Sequence, residues 1–317
     1  MFENILGQDK IKQMLSSRVK NKKIAHAYLF MGQDRVGRKS TAFEFAKVLN
    51  CSVNDWTKTD IGACGKCSNC VKISKNIHPD IHLIDFAKQL EVNEDARENT
   101  KEILIGTIKN YLQKEISVKA REGLWKFFII DEAEKMNEQA ANALLKTLEE
   151  PPNNTIIILI ARHKETIPQT IVSRSQVLFF QPLKRSQVIS YLTTRQGWTL
   201  QKAEDAAQIC EGSIPDEASL LDEEDERAAL RILTKITDKS LCAYDILELS
   251  KSVKKDCALP YIDIMIAKIK NDFRVRPAVS FFILEALIKA RSELLRNINM
   301  NIVFDNLFFS INEKSFS

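Results

Sequence analysis

Two glycines frame a short basic segment of this chain, which reads Gly32-Gln33-Asp34-Arg35-Val36-Gly37-Arg38-Lys39-Ser40-Thr41. The apolar run 27–31 precedes it, and a helical pattern of apolar residues over 42–49 follows it. A strand, a glycine-framed loop and a helix in this order are typical of a P-loop, in which backbone N–H groups at a helix N-terminus bind phosphate. The segment therefore predicts a P-loop architecture.

Two positions of this loop carry residues that differ from those of an active nucleotide-binding P-loop. A working P-loop reads G-x-x-x-x-G-K-[ST], where the lysine contacts the terminal phosphates and the hydroxyl binds Mg²⁺. Counting from Gly32, the second glycine is Gly37, but Arg38 takes the lysine position and Lys39 the hydroxyl position. The guanidinium of Arg38 is planar and broad, unlike the compact ammonium group of lysine, so it is a poor replacement at a tight phosphate site. The positive charge of Lys39 would repel the Mg²⁺ that the hydroxyl normally binds. A loop one residue longer could use Lys39 and Ser40 instead, so an active ATPase stays a second hypothesis.

Length and composition indicate a helix-rich globular protein of two or three domains. The chain has 317 residues, of which 44% are hydrophobic, with only 9 glycines and 8 prolines. Its net charge of +4 permits nucleic acid as a partner but does not favour it. The first residues lack the basic and apolar regions of a signal peptide, and no apolar run is long enough to span a bilayer. We therefore expect a cytoplasmic protein without a membrane partner.

Four cysteines cluster after the P-loop helix. A twelve-residue spacer separates Cys51 from Cys64, and Cys67 and Cys70 follow at two-residue spacing. Thiolates spaced in this way can surround one ion tetrahedrally, with Zn–S bonds of about 2.3 Å. We expect a structural zinc ion in this module, residues 51–70, while an iron–sulfur cluster stays open because four cysteines also suit iron. A disulfide is not expected in a reducing cytosol.

Two carboxylates, Asp131 and Glu132, follow the continuous apolar run 127–130. In a P-loop NTPase the first would hold Mg²⁺ and the second would orient the attacking water. Further apolar runs alternate with helical patterns, at 81–84, 156–160 and 177–180. This alternation predicts a parallel sheet with helices on both faces.

No strand pattern is evident beyond residue 183, so the rest of the chain is predicted to be helical. The acidic run 222–226 is a plausible domain boundary. We therefore predict three domains: an α/β P-loop domain over 1–182 with the cysteine module inserted, a small helical domain over 183–225, and a helical bundle or oligomerisation collar over 226–317.

Several motifs, in their order along the chain, resemble the bacterial clamp-loader ATPase family of the AAA+ class. They are His26-Ala27-Tyr28-Leu29-Phe30, the inserted four-cysteine module, His78-Pro79-Asp80, Ile129-Ile130-Asp131-Glu132-Ala133-Glu134, Ala143-Leu144-Leu145-Lys146-Thr147-Leu148-Glu149-Glu150-Pro151-Pro152 and Thr170-Ile171-Val172-Ser173-Arg174. The resemblance covers residues 1–222 and little of the rest. It implies an AAA+ α/β domain, a helical lid domain and an all-helical collar domain.

The resemblance also implies a role for Arg174, which Ser173 precedes. In this family the arginine of a Ser-Arg-Cys motif reaches across a subunit interface to ATP held by a neighbouring motor subunit. Such a guanidinium stabilises charge on the transferring phosphoryl group. Here Ser175 stands where the family has cysteine, and little consequence is expected because the role belongs to the arginine.

Further nucleotide-handling positions depart from the family pattern. Ala161-Arg162 replaces a pair of threonines that sense the phosphate, and Pro215 replaces the arginine of a second sensor motif. Proline can neither carry charge nor donate a backbone hydrogen bond. Together with the loop substitutions, these departures predict a degenerate and inactive nucleotide site. The residues left at that site are Gly32, Gly37, Arg38, Lys39, Asp131 and Glu132.

The pattern implies a subunit that does not hydrolyse ATP itself but completes the site of a neighbour. By resemblance, its partners would be motor subunits and a delta-type subunit in a pentameric ring, which loads the sliding clamp on primed DNA. A third hypothesis is a zinc protein that binds DNA directly through the cysteine module, and it is the least favoured because few basic residues accompany the cysteines.

Overall fold

The computed structural model describes residues 1–54, 61–97, 100–215, 223–238, 241–253, 257–272, 277–296 and 298–315. The chain divides into two compact units, Met1–Tyr191 and Leu192–Ser317. The division into three domains at 182 and 225 stays a prediction. Part of the cysteine module, residues 55–60, and the start of the acidic run, Asp222, lie outside the described residues.

The first unit is built on five parallel strands, which confirms the predicted sheet. The strands are β1 (Ala27–Met31), β2 (Ile81–Ile84), β3 (Lys126–Ile130), β4 (Thr155–Ala161) and β5 (Gln176–Phe179). Their order in the sheet is β2-β3-β4-β1-β5. Each of them overlaps one of the apolar runs in the sequence. Strands β1, β3 and β4 are buried along their whole length, as expected of parallel strands that are covered on both faces, whereas the edge strand β5 leaves Phe179 exposed.

Helices connect these strands and cover them. They are α1 (Asp9–Lys20), α2 (Arg38–Asn50), α3 (Ser68–Ser74), α4 (Phe86–Val92), α5 (Gln113–Ser117), α6 (Glu138–Glu149), α7 (Gln169–Val172) and α8 (Arg185–Arg195), the last of which ends beyond Tyr191. A π-helical segment, Thr107–Leu112, precedes α5. Short 3₁₀ turns follow β3 and β4, at Ala133–Lys135 and Lys164–Thr166.

Alternate residues of each strand point to opposite faces and belong to different hydrophobic clusters. From β1, Tyr28 and Phe30 join the cluster that contains the buried residues of α1, α2 and α3. Leu29 and Met31 join the cluster that contains those of α6 and α7. Helices therefore cover both faces of the sheet, as the sequence predicts.

The strand order decides which loops meet at the carboxyl edge of the sheet. Strand β4 lies between β1 and β3. The P-loop follows β1, Asp131 follows β3, and Ala161 ends β4. Because the carboxyl ends of parallel strands share one edge, the three segments become neighbours, and ligands of open α/β sheets bind at such edges.

The second unit is helical in the part that the structure describes. Its helices are α9 (Leu200–Ile209), α10 (Glu223–Asp238), α11 (Ala243–Lys251), α12 (Ala258–Asp272), α13 (Pro277–Leu295) and α14 (Met300–Ser315). One cluster of apolar side chains, drawn from α10 to α14, forms its core. Among the described residues of the whole chain, no helix combines the length and hydropathy that crossing a membrane requires.

Candidate functional site

The P-loop leaves β1 and enters α2 with the backbone that its glycines permit. Gly32 has φ +144°, and a Cβ atom there would lie 2.6 Å from the carbonyl oxygen of Phe180. Gly37, with φ +100°, immediately precedes α2. Only glycine adopts such angles without strain. The loop therefore has the predicted strand–loop–helix geometry.

The side chain at the lysine position turns back into the domain. Arg38 is only 8% exposed. Its Nη1 donates a 2.5 Å hydrogen bond to the carbonyl oxygen of Ala161, and its Nη2 lies 2.5 Å from Oδ1 of Asp34. The guanidinium is therefore engaged by the end of β4 and by a carboxylate of the loop itself.

A second arginine contacts the same carboxylate. Nη2 of Arg162 lies 2.5 Å from Oδ2 of Asp34. The backbone N–H of Arg162 also donates to Oε1 of Glu134, at 3.3 Å. Asp34 thus sits between two guanidiniums, with a hydrogen bond from Arg38 and an ion pair with Arg162, so it takes up positive charge that an arginine pair could offer a phosphate.

At the hydroxyl position, the Nζ of Lys39 lies 2.7 Å from Oδ2 of Asp131. In an active P-loop NTPase, the residues at these two positions share Mg²⁺. Here an ammonium group contacts the carboxylate directly. Glu132 adopts φ +50°, and its Oε1 pairs at 2.8 Å with Nζ of Lys135 in the following 3₁₀ turn.

Arg174 lies outside this cluster, just beyond α7. Its Nη1 donates to the carbonyl oxygen of Thr170 at 3.0 Å, and to the hydroxyl of Ser173 at 3.4 Å. Its Nη2 pairs with Oε1 of Glu149, the last residue of α6, at 2.7 Å. The Arg174 side chain is 37% exposed, so its guanidinium can meet another molecule.

The four clustered cysteines come together as their spacing predicts. All four Sγ atoms lie within 4.8 Å of one another, and the chain enters the group from the end of α2 and leaves it through α3, in the order Cys51, Cys64, Cys67 and Cys70. Four thiolates around one ion at about 2.3 Å would lie about 3.8 Å apart. An iron–sulfur cluster would spread them over several iron atoms. The geometry therefore fits a single tetrahedral ion.

Backbone N–H groups point at these sulfur atoms. The amide of Cys67 lies 3.3 Å from Sγ of Cys64, and the amide of Cys70 lies 3.4 Å from Sγ of Cys67. Burial raises the pKa of Cys67, but the amide of Cys70 and hydrogen bonds from Ser52 outweigh it and lower that pKa to about 6. Such bonds favour the thiolate, which is the form that binds metal.

Sequence reasoning missed two of the partners at these sites. Glu149 belongs to a motif of the family resemblance, but neither its role nor that of Asp34 is visible locally, because these roles depend on contacts with Arg174 and Arg162. It also left Asp80 without a role, although the motif that contains it was noted. The buried carboxylate of Asp80 accepts three backbone hydrogen bonds of 2.7 Å, from the N–H groups of Arg121, Glu122 and Gly123.

Pro215 lies in the second unit, Leu192–Ser317, and is the last described residue before a gap at 216–222.

Among the predicted site residues, the structure brings together those of the P-loop, the β3 carboxylates and the end of β4. Arg174 and the cysteine group stand apart from them, each with its own contacts within the first unit.

Fold and site together define a P-loop protein of the AAA+ class. The sequence profile of the family described as "DNA polymerase III, delta subunit" matches residues 7–184. The chain belongs to this family of bacterial clamp-loader proteins.

Several relatives are named as subunits of bacterial DNA polymerase III. The chain is 33% identical over 227 residues to DNA polymerase III subunit tau/gamma of Haemophilus influenzae, covering 70% of this chain and 30% of that one. It is 33% identical over 177 residues to subunit delta′ of Bacillus subtilis, covering 56% and 48%. The aligned part thus spans less than half of either relative. A gamma subunit-related protein of Thermotoga maritima shares the fold, with TM-score 0.50, 16% identity, and coverage of 95% and 99%.

Proposed function

We propose that this chain is a non-motor subunit of the bacterial DNA polymerase III clamp loader, most like the delta-prime subunit. It would complete a neighbouring motor subunit's ATP site so that the sliding clamp is loaded on primed DNA. It would have no ATPase activity of its own, although it would work within the DNA-directed DNA polymerase III holoenzyme. Its place of action would be the cytoplasm.

The contacts of the P-loop carry this proposal. Asp34 pairs with Arg38 and Arg162, so the loop's own carboxylate takes up two guanidiniums at this edge of the sheet. Lys39 pairs with Asp131, so the carboxylate expected to hold Mg²⁺ already has a cation. An incoming Mg·ATP would need to break both sets of ion pairs. It would then meet a repelling carboxylate in the loop and a repelling ammonium at the metal position.

Arg174 is the residue that would act on ATP, in a neighbouring subunit. The role is supported by a guanidinium that is held by Glu149 and is 37% exposed at the surface of the first unit. It would stabilise the negative charge that develops on the transferring phosphoryl group. Ser173 would assist by its hydroxyl contact to the same guanidinium.

The cysteine group would hold a structural zinc ion. The four thiolates Cys51, Cys64, Cys67 and Cys70 would fill the tetrahedral coordination shell of such an ion, which would leave no position for substrate. The ion would therefore contribute stability to the segment between α2 and α3, and no step of the reaction depends on it. Residues 55–60 of the module lie outside the described part.

The partners proposed are clamp-loader motor subunits and a delta-type subunit, in a pentameric ring, with contact to the sliding clamp only through the complex. An apolar stripe supports assembly through the second unit. On α13, Phe281, Ile288 and Leu295 are 61%, 52% and 50% exposed. They recur every seven residues, which places them on one face, opposite the buried Ile283 and Leu287. The same face also carries the exposed Glu285, and its three apolar side chains would give α13 a surface to pack against a partner subunit.

An active clamp-loader ATPase of the gamma or tau kind, using Lys39 and Ser40, is the second candidate. It is favoured by the tau/gamma relative, whose identity to this chain equals that of the delta′ relative. The two candidates differ in what the isolated protein does with nucleotide.

Titration of the zinc-loaded chain with Mg·ATP by calorimetry, together with a turnover assay, tests the choice. We expect no binding at micromolar nucleotide and no turnover. Micromolar affinity with Mg²⁺-dependent turnover would establish the active ATPase instead. In a reconstituted complex with motor subunits, Arg174→Ala should assemble normally and lower the DNA-stimulated ATPase by about 10³-fold at the affected site. Unchanged turnover would remove the trans role of Arg174.

A further inference from the structure

The contact between Glu149 and Arg174 joins two motifs that stand apart in the sequence. Oε1 of Glu149 lies 2.7 Å from Nη2 of Arg174. We propose that Glu149 is a positioning residue, which holds the Arg174 guanidinium in the orientation that meets a neighbour's nucleotide. This inference rests on the proposed trans role of Arg174 and adds the residue on which that role depends.

The guanidinium is restrained at both of its terminal nitrogens. Nη1 is held from within its own turn, by the carbonyl oxygen of Thr170 and the hydroxyl of Ser173. Nη2 is held from a different helix, by Glu149. Contacts from one side alone would let the planar group pivot, whereas hydrogen bonds on one side and an opposite charge on the other restrain it.

The backbone beneath both residues is itself fixed. Leu148, next to Glu149, and Ile171 and Val172, just before Arg174, are buried in the same hydrophobic cluster. The carboxylate is therefore presented from a packed helix end and not from a mobile loop. A site built on packed elements holds a catalytic group more accurately than one on a loop alone.

The charges of the pair also suit a role at an interface. Both side chains are partly exposed, 37% for Arg174 and 50% for Glu149, so water screens the pair in the free subunit and its loss cannot unfold the domain. When a neighbour docks and excludes water, the Coulomb attraction within the pair increases. Each terminal nitrogen of a guanidinium carries two N–H groups, so Nη2 keeps an N–H that can donate to the neighbour's phosphate beside Glu149. An arginine without this partner would have to lose its rotamer freedom at the moment of reaction.

Steady-state ATPase of the complete, reconstituted clamp-loader complex with clamp and primed DNA tests this role. The variants are Glu149→Ala, Glu149→Gln, Arg174→Ala, the double variant, and Glu150→Gln as the matched control. Glu150 is the exposed neighbour of Glu149 in the same motif. We expect Glu149→Ala to lower kcat about three- to tenfold. The ATP concentration that gives half the maximal rate should not change, because the variant loses the positioning of Arg174 and not the binding of ATP.

The kcat of Glu149→Gln should lie between those of wild type and Glu149→Ala, because the amide keeps an acceptor oxygen but loses the charge. Glu150→Gln should match wild type. In the Arg174→Ala background, Glu149→Ala should have no further effect, because the group it positions is gone. Assembly by gel filtration and melting temperature should not change in any variant.

Any of three results would overturn the positioning role while leaving the trans role intact. One is normal kcat in Glu149→Ala when Arg174→Ala is impaired. Another is a loss in the double variant that equals the product of the single losses. The third is a loss that gel filtration traces to failed assembly. If Arg174→Ala itself keeps full turnover, the proposed function of Arg174 fails first, and this inference fails with it.

Discussion

The Nζ of Lys39 lies 2.7 Å from Oδ2 of Asp131, across the end of the central strand β4. The two residues come from the P-loop helix and from the strand that carries the acidic pair. In P-loop NTPases these positions are joined through Mg²⁺. In this chain the Lys39 ammonium group pairs with the Asp131 carboxylate directly, so the negative charge of Asp131 is neutralised without a metal ion.

Asp131→Asn should leave the ATPase of the reconstituted complex within about twofold of wild type, because under the proposed function this carboxylate binds no catalytic Mg²⁺. The stability of the isolated chain should fall by no more than about 1 kcal/mol, since Lys39 is 44% exposed and the pair is screened. Turnover assays and urea melts provide the two measurements. A large loss of turnover would favour the active-ATPase hypothesis.

Removing one cysteine should remove the metal. Cys67→Ser replaces a thiolate with a poor zinc ligand, so bound zinc should fall from one equivalent to near zero. The melting temperature should drop by about 4–8 °C, or roughly 2 kcal/mol. Metal analysis and calorimetry report both changes.

Cys242→Ser is the matched control, because Cys242 is an exposed cysteine of the second unit. It should retain zinc and wild-type stability. A chelator should lower the melting temperature of wild type and of this control, but not that of Cys67→Ser. Full zinc content in Cys67→Ser would contradict the four-cysteine site.

Asp80→Asn should destabilise the first unit by about 2–4 kcal/mol, because an amide cannot accept all the hydrogen bonds that the carboxylate receives. Burial raises the pKa of Asp80, but the amides of Gly123, Arg121 and Glu122 outweigh it, so the net pKa lies below the ordinary 3.8. A depressed pKa stabilises the fold above 3.8, and this contribution is lost as the pH falls through the lower, folded-state value.

The difference in unfolding free energy between wild type and Asp80→Asn should therefore be constant from pH 8 to 5 and shrink below about pH 4. Denaturant melts across that range measure it. Asp95→Asn, a change at an exposed carboxylate, is the control and should be neutral. A difference that grows at acid pH would have the wrong sign for the observed hydrogen bonds.

Phe281→Ser combined with Ile288→Ser should weaken assembly with partner subunits by at least about tenfold, because both side chains belong to the exposed stripe of α13. The isolated chain should keep its helix content and melting temperature, since neither side chain belongs to the core. Sedimentation of mixtures measures assembly. Lys289→Ser, at a 79% exposed position of the same helix, should assemble as wild type does. If the double variant assembles normally, the exposed stripe of α13 does not contribute to the interface with partner subunits.

Local pattern alone was enough for most of the architecture. Each of the five strands is an apolar run in the sequence, as 27–31 becomes β1 and 156–160 becomes the centre of β4. The cysteine spacing likewise predicted a group that the structure brings within one coordination shell. These features are readable because periodicity and ligand spacing are properties of neighbouring residues.

The sequence by itself determined the P-loop fold, the four-cysteine group and the substitutions at the nucleotide positions. Only the tertiary structure decided what replaces the missing chemistry: Asp34 between two arginines, Lys39 on Asp131, and Glu149 on Arg174. Most of these contacts join residues far apart in the chain, and they depend on β4 lying between β1 and β3 and on α6 packing beside α7. A charge in a sequence does not reveal its partner, because the partner is set by strand order and by packing.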